Sequence, residues 1–586
     1  MHPEDFEINS GELTAYVGRQ THVIVPDNVT RIAQDAFFEC SFVQSVKLPE
    51  GVKSVGKRAF WGCEALESIE LPTSLRSIGD NAFRSCGSLR EITLPEGLSY
   101  LGEAAFRACG QLESALLPDS LTKLEISTFS DCFALKNVRL SPFTKTIGVR
   151  CFHWCVSLES IDLPDSLKEL DNELFLGCMA LQSVHLPDQL ETIGSKCFSE
   201  CKKLNALDVP PTLTHIGADA FYKSGVLINC TEDFFVLGQI LVKYNGSSET
   251  AAVPRKVRTV SSYAFADCEQ LVSVTLPETV VSIADYAFEN CSALENAALP
   301  QSLKSIGKGA FSQCPKLVMP TLPPSLEHIG ANAFDISQSE GMTVAAGKYL
   351  LSFTGTAETL TLPKGLTVIA DEAFVRCFVG EVTIPEGAVT IGSAAFRWRS
   401  ELKKVTIPDT VRYIGDSAFA NCGEPLIVIN EPGGELGDNA FPKGTKLELN
   451  VHGQQVRVTL VRDVRQGSCA ERQLWNFACS PSEQTFAALE LPEYKLPCAI
   501  AFYSSTDYCK EYLQKNITQA VCYAAEQQDG PLLEKVLSYR LLDLEQLRVC
   551  IDFAVQHKLT QQQVVLMRCR HEQFDAQDAA AKRFEL

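Results

Sequence analysis

The stretch Ile78-Gly-Asp-Asn-Ala-Phe-Arg-Ser-Cys-Gly-Ser-Leu-Arg-Glu-Ile-Thr-Leu-Pro95 closes one copy of a pattern and opens the next. Aligned on its Ala-Phe pair, the chain marks Phe37, Phe60, Phe83, Phe106, Phe129, Phe152, Phe175, Phe198 and Phe221, each 23 residues after the last. A second run follows at Phe265, Phe288, Phe311 and Phe334, and a third at Phe374, Phe396, Phe419 and Phe441. A chain of 586 residues exceeds what one compact core holds. The fixed interval selects a stacked repeat over several globular domains.

One copy shows what a unit contains. Leu66, Ile69 and Leu71 alternate along a short extended segment closed by Pro72, and Leu75 and Ile78 continue the apolar stripe. Ile78, Ala82, Phe83 and Cys86 fall at helical spacing, which predicts a helical turn or short helix on the back of the unit. Such a unit buries its apolar face only against its neighbours. Period and aliphatic offsets are those of a leucine-rich-repeat solenoid. With strands about 4.8 Å apart, 17 marked units predict a parallel sheet on the order of 80 Å long. The fold class expected is α/β: a solenoid with a parallel β-sheet on one face and short helical turns on the other, inserted β-hairpins, and a small all-α C-terminal domain.

Cysteine recurs three residues after the marker at Cys40, Cys63, Cys86, Cys109, Cys132, Cys155, Cys178, Cys201, Cys268, Cys291, Cys314, Cys377 and Cys422. Ser224, Ser337, Arg399 and Gly444 replace it, three of them where a neighbouring unit is irregular or missing. A small buried residue packing against the next coil explains this. Bridges between rungs do not, because stacked equivalents point the same way. No CxxC pair supplies a metal site, and an apolar ladder is no setting for a reactive thiolate. The ladder is read as structural.

The period breaks at related places. Residues 6–26 and 234–254 have equal length and match Leu13 with Leu241, Tyr16 with Tyr244 and Gly18 with Gly246; residues 343–363 repeat them as Leu350, Phe353 and Gly355. Alternating apolar residues about a glycine-containing turn predict hairpins, the first capping the solenoid edge. The division expected is a capping hairpin over 1–26, repeats over 27–226, 255–340 and 364–445, inserted hairpins over 227–254 and 341–363, a terminal hairpin over 446–465 and a helical domain over 470–586. Within that domain residues 506–528 read as one amphipathic helix, and Ala525 with Leu532-Leu533 and Ala554 with Val564-Val565 mark two helical hairpins. These are faintly similar to ankyrin-type repeats, through helix pairing alone. Binding a partner and capping the solenoid are both open to the domain.

Units such as Leu66 to Phe83 and Leu271 to Phe288, with their spaced L-P, I-G, A-F and C elements, resemble the BspA-like leucine-rich repeats over about residues 1–445. The resemblance implies a binding protein of a class common in bacteria and some protozoa, whose surface members act in adhesion. It implies no catalytic residues.

The residue between the last two aliphatic strand positions faces the concave side: Lys47, Glu70, Thr93, Leu116, Arg139, Asp162, His185 and Asp208 in the first run, all but Leu116 being candidate contacts, giving way to a mostly threonine track at Thr275, Ala298, Thr321, Thr361, Thr383 and Thr406. A solvated strand face accounts for the same residues.

Catalytic patterns are missing. The nine histidines are scattered, with no HExxH, GxSxG, P-loop or GxGxxG context. Cys498 or Cys522 served by His557 or His571 has no signature, and packing thiols account for both. No enzyme, cofactor or metal is expected. A net charge of −20 argues against nucleic-acid or acidic-membrane partners. The start Met1-His-Pro-Glu-Asp reads as no signal peptide, and no apolar run reaches a bilayer-spanning 18 residues. An odd 23 cysteines fit a reducing compartment. The expectation is a cytoplasmic scaffold for protein partners; the alternative is an adhesin or effector, exported by a route the sequence does not show, that binds host proteins.

Overall fold

A computed structural model describes residues 3–334, 341–464 and 470–575. The substitution at Ser337, like the ends of the second run and of the helical domain, lies outside the described residues. The chain divides into two units, one of Met1–Leu326 with Ala333–Asp335 and one of Glu327–Asn332 with Ile336–Leu586. Both contain parallel-strand β-solenoid.

In the first unit every regular coil contributes to three ladders. Three-residue strands such as Ser45–Lys47 and Ser68–Glu70 pair in parallel, Val46 opposite Ile69. Their central side chains turn inward and their flanking ones outward, as the two-residue strand period requires. A second parallel ladder joins two-residue strands, Ser54–Val55 to Ser77–Ile78 to Tyr100–Leu101. The third runs along the back: Asn81, Phe83 and Ser85 donate their N–H groups to the carbonyls of Glu103, Ala105 and Arg107 at 2.7–2.8 Å.

The helical spacing on the back is realised as a succession of tight turns. Ala82, Arg84 and Cys86 bond to carbonyls three residues earlier, but Asn81 and Ser85 stand at φ 56° and 61°. These left-handed residues, two before and two after the marker, recur in unit after unit and stop each turn from propagating.

Buried phenylalanines form the core. From Phe60 to Phe175 successive rings lie 5.1–5.9 Å apart and within 5° of parallel. Tyr16 extends the stack, 5.1 Å from Phe37, so the first hairpin block is a repeat with an altered back. Its strand Phe6–Asn9 pairs antiparallel with Glu12–Tyr16, whose Leu13 enters the two-residue ladder opposite Ile32. Phe234–Leu237 and Ile240–Tyr244 repeat this, with Leu241 opposite Val260. The glycine two residues after each tyrosine is explained by the ring folding over it: a Cβ at Gly18 would sit 2.7 Å from the Tyr16 ring.

Glycine after the second strand has a different cause. A Cβ on Gly102 would lie 2.5 Å from the backbone of Gly79 and Asp80 in the coil before it. Gly102→Ala is therefore expected to cost about 1–3 kcal/mol by overpacking, read as a lower urea midpoint at unchanged slope. A neutral result would mean that the rung adjusts as it does at Glu125 and Asp171, which occupy the same column.

In the second unit the long strand Tyr349–Thr361 pairs antiparallel with Gly341–Ala345 and in parallel with Val368–Ile369 and Cys377–Thr383. The parallel series continues through Lys404–Ile407 and Leu426–Asn430 to Lys446–Val451, on which Gln454–Thr459 folds back antiparallel. His452 and Gly453, at φ 48° and 77°, make the two-residue turn.

Helices follow over Ala470–Cys479, Glu483–Ala487, Pro492–Phe502, Asp507–Lys515, Ile517–Glu526, Gly530–Ser538, Leu544–Gln556 and Thr560–Arg570. The single helix expected over 506–528 is two. Asn516 ends the first at φ −122°, ψ 23°, with its side-chain amide donating to the Tyr512 carbonyl at 2.8 Å, and Ile517 begins the second. Among the described residues no helix is long and apolar enough to cross a membrane.

Candidate functional site

The structure places Lys47, Glu70, Thr93, Arg139, Asp162 and His185 each at the end of a three-residue strand, exposed. Asp208 is exposed but lies in an irregular segment outside any strand. Register brings Lys47 beside Glu70 and Asp162 beside His185. Lys47 Nζ and the Glu70 carboxylate meet at 2.7 Å, a bond that raises the lysine pKa. Arg139 pairs with Asp119 at 3.2 Å. Both pairs are open to solvent, where such bridges contribute little to stability. Leu116 and Ile24, 50% and 57% exposed, occupy the same column, so the face mixes charge with isolated apolar side chains.

The cysteine ladder has a bond that sequence reading missed. Cys63, Cys86, Cys109, Cys132, Cys155, Cys178 and Cys201 each donate an S–H to the marker-phenylalanine carbonyl of the preceding unit at 3.1–3.2 Å. Cys291, Cys314 and Cys422 do the same. The acceptor already takes an amide within its own unit: Phe83 accepts from Cys86 N at 3.2 Å and from Cys109 Sγ at 3.1 Å. Packing alone does not explain cysteine over alanine; a donor on a small apolar side chain does. Hydroxyls form a second such column, Ser74, Thr279 and Ser302 donating to Val52, Val257 and Val280 carbonyls at 2.7–2.8 Å.

Burial pushes the thiols of Cys86, Cys109, Cys132 and Cys178 well up, so thiolate is disfavoured along the ladder. Cys498 is also buried and pushed up. Cys522 differs: it is only half-buried, so its thiol is open to reagents from which the ladder thiols are shielded, while the neighbouring Cys550 donates its S–H to the Thr518 carbonyl at 3.8 Å. His557 stacks on Phe553 at 4.2 Å. Iodoacetamide at pH 7.5 is accordingly expected to label Cys522 at least tenfold faster than Cys86 or Cys109 in the folded chain. Equal rates by peptide mass mapping would contradict the buried ladder. Among the described residues no cluster of three or more His, Cys, Asp or Glu could hold a metal ion.

The helical region closes the end of the second unit's solenoid. Trp475 lies 6.3 Å from Phe441 and donates its indole N–H to the Gly434 carbonyl at 3.3 Å, and Arg472 bonds the Leu436 carbonyl at 3.1 Å. Capping is thus one role of this region.

Paired parallel ladders, a phenylalanine stack and a repeating L-P, I-G, A-F, C unit define a leucine-rich-repeat solenoid protein. Residues 15–136, 122–232, 242–349 and 345–448 match the family described as BspA type leucine rich repeat region, and the chain belongs to that family. No curated protein matches it. Among solved structures, a leucine-rich repeat protein from Bacteroides ovatus is similar at 23% identity, over 69% of this chain and 94% of its own, with a TM-score of 0.38. The T. pallidum leucine rich repeat protein is 31% identical over 35% of this chain and 90% of its own, with a TM-score of 0.28. A leucine rich cell surface protein from Faecalibacterium prausnitzii is 22% identical over 72% and 92%, with a TM-score of 0.29.

Proposed function

We propose that this chain is a non-catalytic protein–protein interaction scaffold that works in the cytoplasm. Its partner would engage the strand column of Lys47, Glu70, Thr93, Arg139, Asp162 and His185 with Asp208 in the irregular segment beyond it, the C-terminal helical region, or both. The observation that carries the reading is the regular outward column itself: a stacked repeat sets mixed charges and single apolar residues at fixed spacing on a rigid face, which suits a protein surface better than a small substrate. The 22 described cysteines are all free thiols, which supports a reducing compartment.

Capture from source-cell cytosol on the immobilised full chain tests this, beside a chain carrying Arg139→Ala and Asp162→Ala. A partner retained at least tenfold less by the variant is the expected result. Equal retention moves the contact off this column, and retention of nothing by either chain counts against the scaffold reading.

A further inference from the structure

The column one residue after the marker phenylalanine, on the turn side of the first unit, holds Phe38, Trp61, Arg84 and Arg107 in four successive coils. Left-handed residues on either side, Asp35 with Glu39, Arg58 with Gly62, Asn81 with Ser85 and Ala104 with Ala108, bound this column. Phe38 is 39% exposed and its ring lies 6.1 Å from that of Trp61. The Arg58 guanidinium stands 5.5 Å over Phe38 and 6.0 Å from Trp61, while Arg84 stands 4.6 Å over Trp61. Tryptophan and arginine are the residue types in which binding energy at protein interfaces concentrates. The strand column of the first run offers no Phe, Tyr or Trp and no cluster of arginines.

Charge separates the three arginines. Arg58 is held by Asp35 at 2.7 Å and Arg107 by Asp131 at 3.1 Å. Arg84 bonds the neutral Asn81 side chain at 3.2 Å and, among the described residues, forms no ion pair. Burial, and after it the charge of Arg107, lowers its pKa. A guanidinium fixed on an aromatic plane keeps its fork for one planar acceptor, and a carboxylate fits it bidentately. We propose that this face binds a segment of a partner protein that lays an apolar side chain on Phe38 and Trp61 and sets a carboxylate on Arg84. The proposal rests on the protein-interaction reading and names a different surface for it. A nucleic acid fits less well, because Asp35 and Asp131 flank the site and the chain carries a net charge of −20.

The experiment uses the full chain labelled with 5-fluorotryptophan, whose four tryptophans give four fluorine resonances assignable by single Trp→Phe changes. The probe is a pool of synthetic heptapeptides with three central positions drawn from Asp, Glu, Leu and Phe, compared with a pool in which Lys replaces the acids. The acidic pool is expected to shift the Trp61 resonance saturably and leave those of Trp154, Trp398 and Trp475 in place. Arg84→Met, which keeps the aliphatic stem, should weaken that binding tenfold or more at an unchanged melting temperature. An unmoved Trp61 resonance, an equal response from Arg84→Met, an equal response to the lysine pool, or a stronger response to single-stranded oligonucleotide would each overturn the proposal. A cytosolic partner captured equally by wild type and Arg84→Met would sink this surface while leaving the scaffold reading intact.

Discussion

Phe106→Ala is expected to destabilise the first unit by about 3–5 kcal/mol, the range for deleting a fully buried phenylalanine side chain. Its ring is inaccessible to solvent and lies between Phe83 at 5.2 Å and Phe129 at 5.6 Å, nearly parallel to both. Two costs add. Losing the side chain opens a cavity that cannot collapse, because Asn81, Phe83 and Ser85 are bonded to the coil of Phe106, and Phe106 N bonds to Thr128 O in the next. The change also interrupts the stack, forfeiting two ring contacts worth about 0.5–1.5 kcal/mol each. Phe106→Leu keeps most of the volume and should cost clearly less. Urea unfolding followed by circular dichroism decides the matter. Because each coil contacts its neighbours only, the loss should appear as earlier unfolding around residues 83–129 in hydrogen exchange rather than as uniform loosening. A loss below 1 kcal/mol would mean that the ladders, not the ring stack, hold the coils together.

What could be read from the sequence follows from what a fixed period displays. Writing the chain in rows of 23 puts Phe83, Cys86 and Ile69 in columns, so the rung, its core and its outward position were all legible. The second ladder was not, because a strand as short as Ser77–Ile78 has no alternation to detect. The left-handed turn residues were hidden for a related reason. Glycine advertises them at Gly62 and Gly177, but Asn81, Ser85, Trp154 and Trp398 adopt the same geometry with side chains attached, held by bonds between coils. The cysteine column was visible and its burial foreseen, yet its acceptor was not, since the acceptor is a backbone carbonyl 26 residues earlier. Phe38, Trp61 and Arg84 also stand in one column, and sequence reading passed over them because it looked for contacts on the strand side. In the helical region Pro497 and an almost wholly buried surface disguised Pro492–Phe502, which lacks the polar face by which helices are recognised.

Tyr494→Phe is expected to loosen the helical region by about 2–3 kcal/mol although it removes one oxygen atom. The phenol joins three elements. It donates to the Glu471 carboxylate at 2.8 Å from the helix Pro492–Phe502 and accepts the N–H of Val461 at 2.9 Å from the segment after the last strand. Tyr494 is inaccessible to solvent and Glu471 is 3% exposed, so deleting the hydroxyl leaves a buried carboxylate short of a donor and an amide short of an acceptor. Burial pushes the phenol pKa up, which keeps it a donor across the physiological range. A double variant separates the terms: if the carboxylate carries most of the penalty, Glu471→Gln should recover part of the stability lost by Tyr494→Phe, because a buried neutral amide costs less to leave underbonded than a buried charge. Helix unfolding by urea, followed at 222 nm, reads the effect, with Trp475 fluorescence reporting the contact with Phe441. A Tyr494→Phe chain within 0.5 kcal/mol of wild type would mean that apolar packing alone holds the cap on the solenoid. A loss of the expected size that also abolishes partner capture would tie the cap, and not just the repeats, to binding.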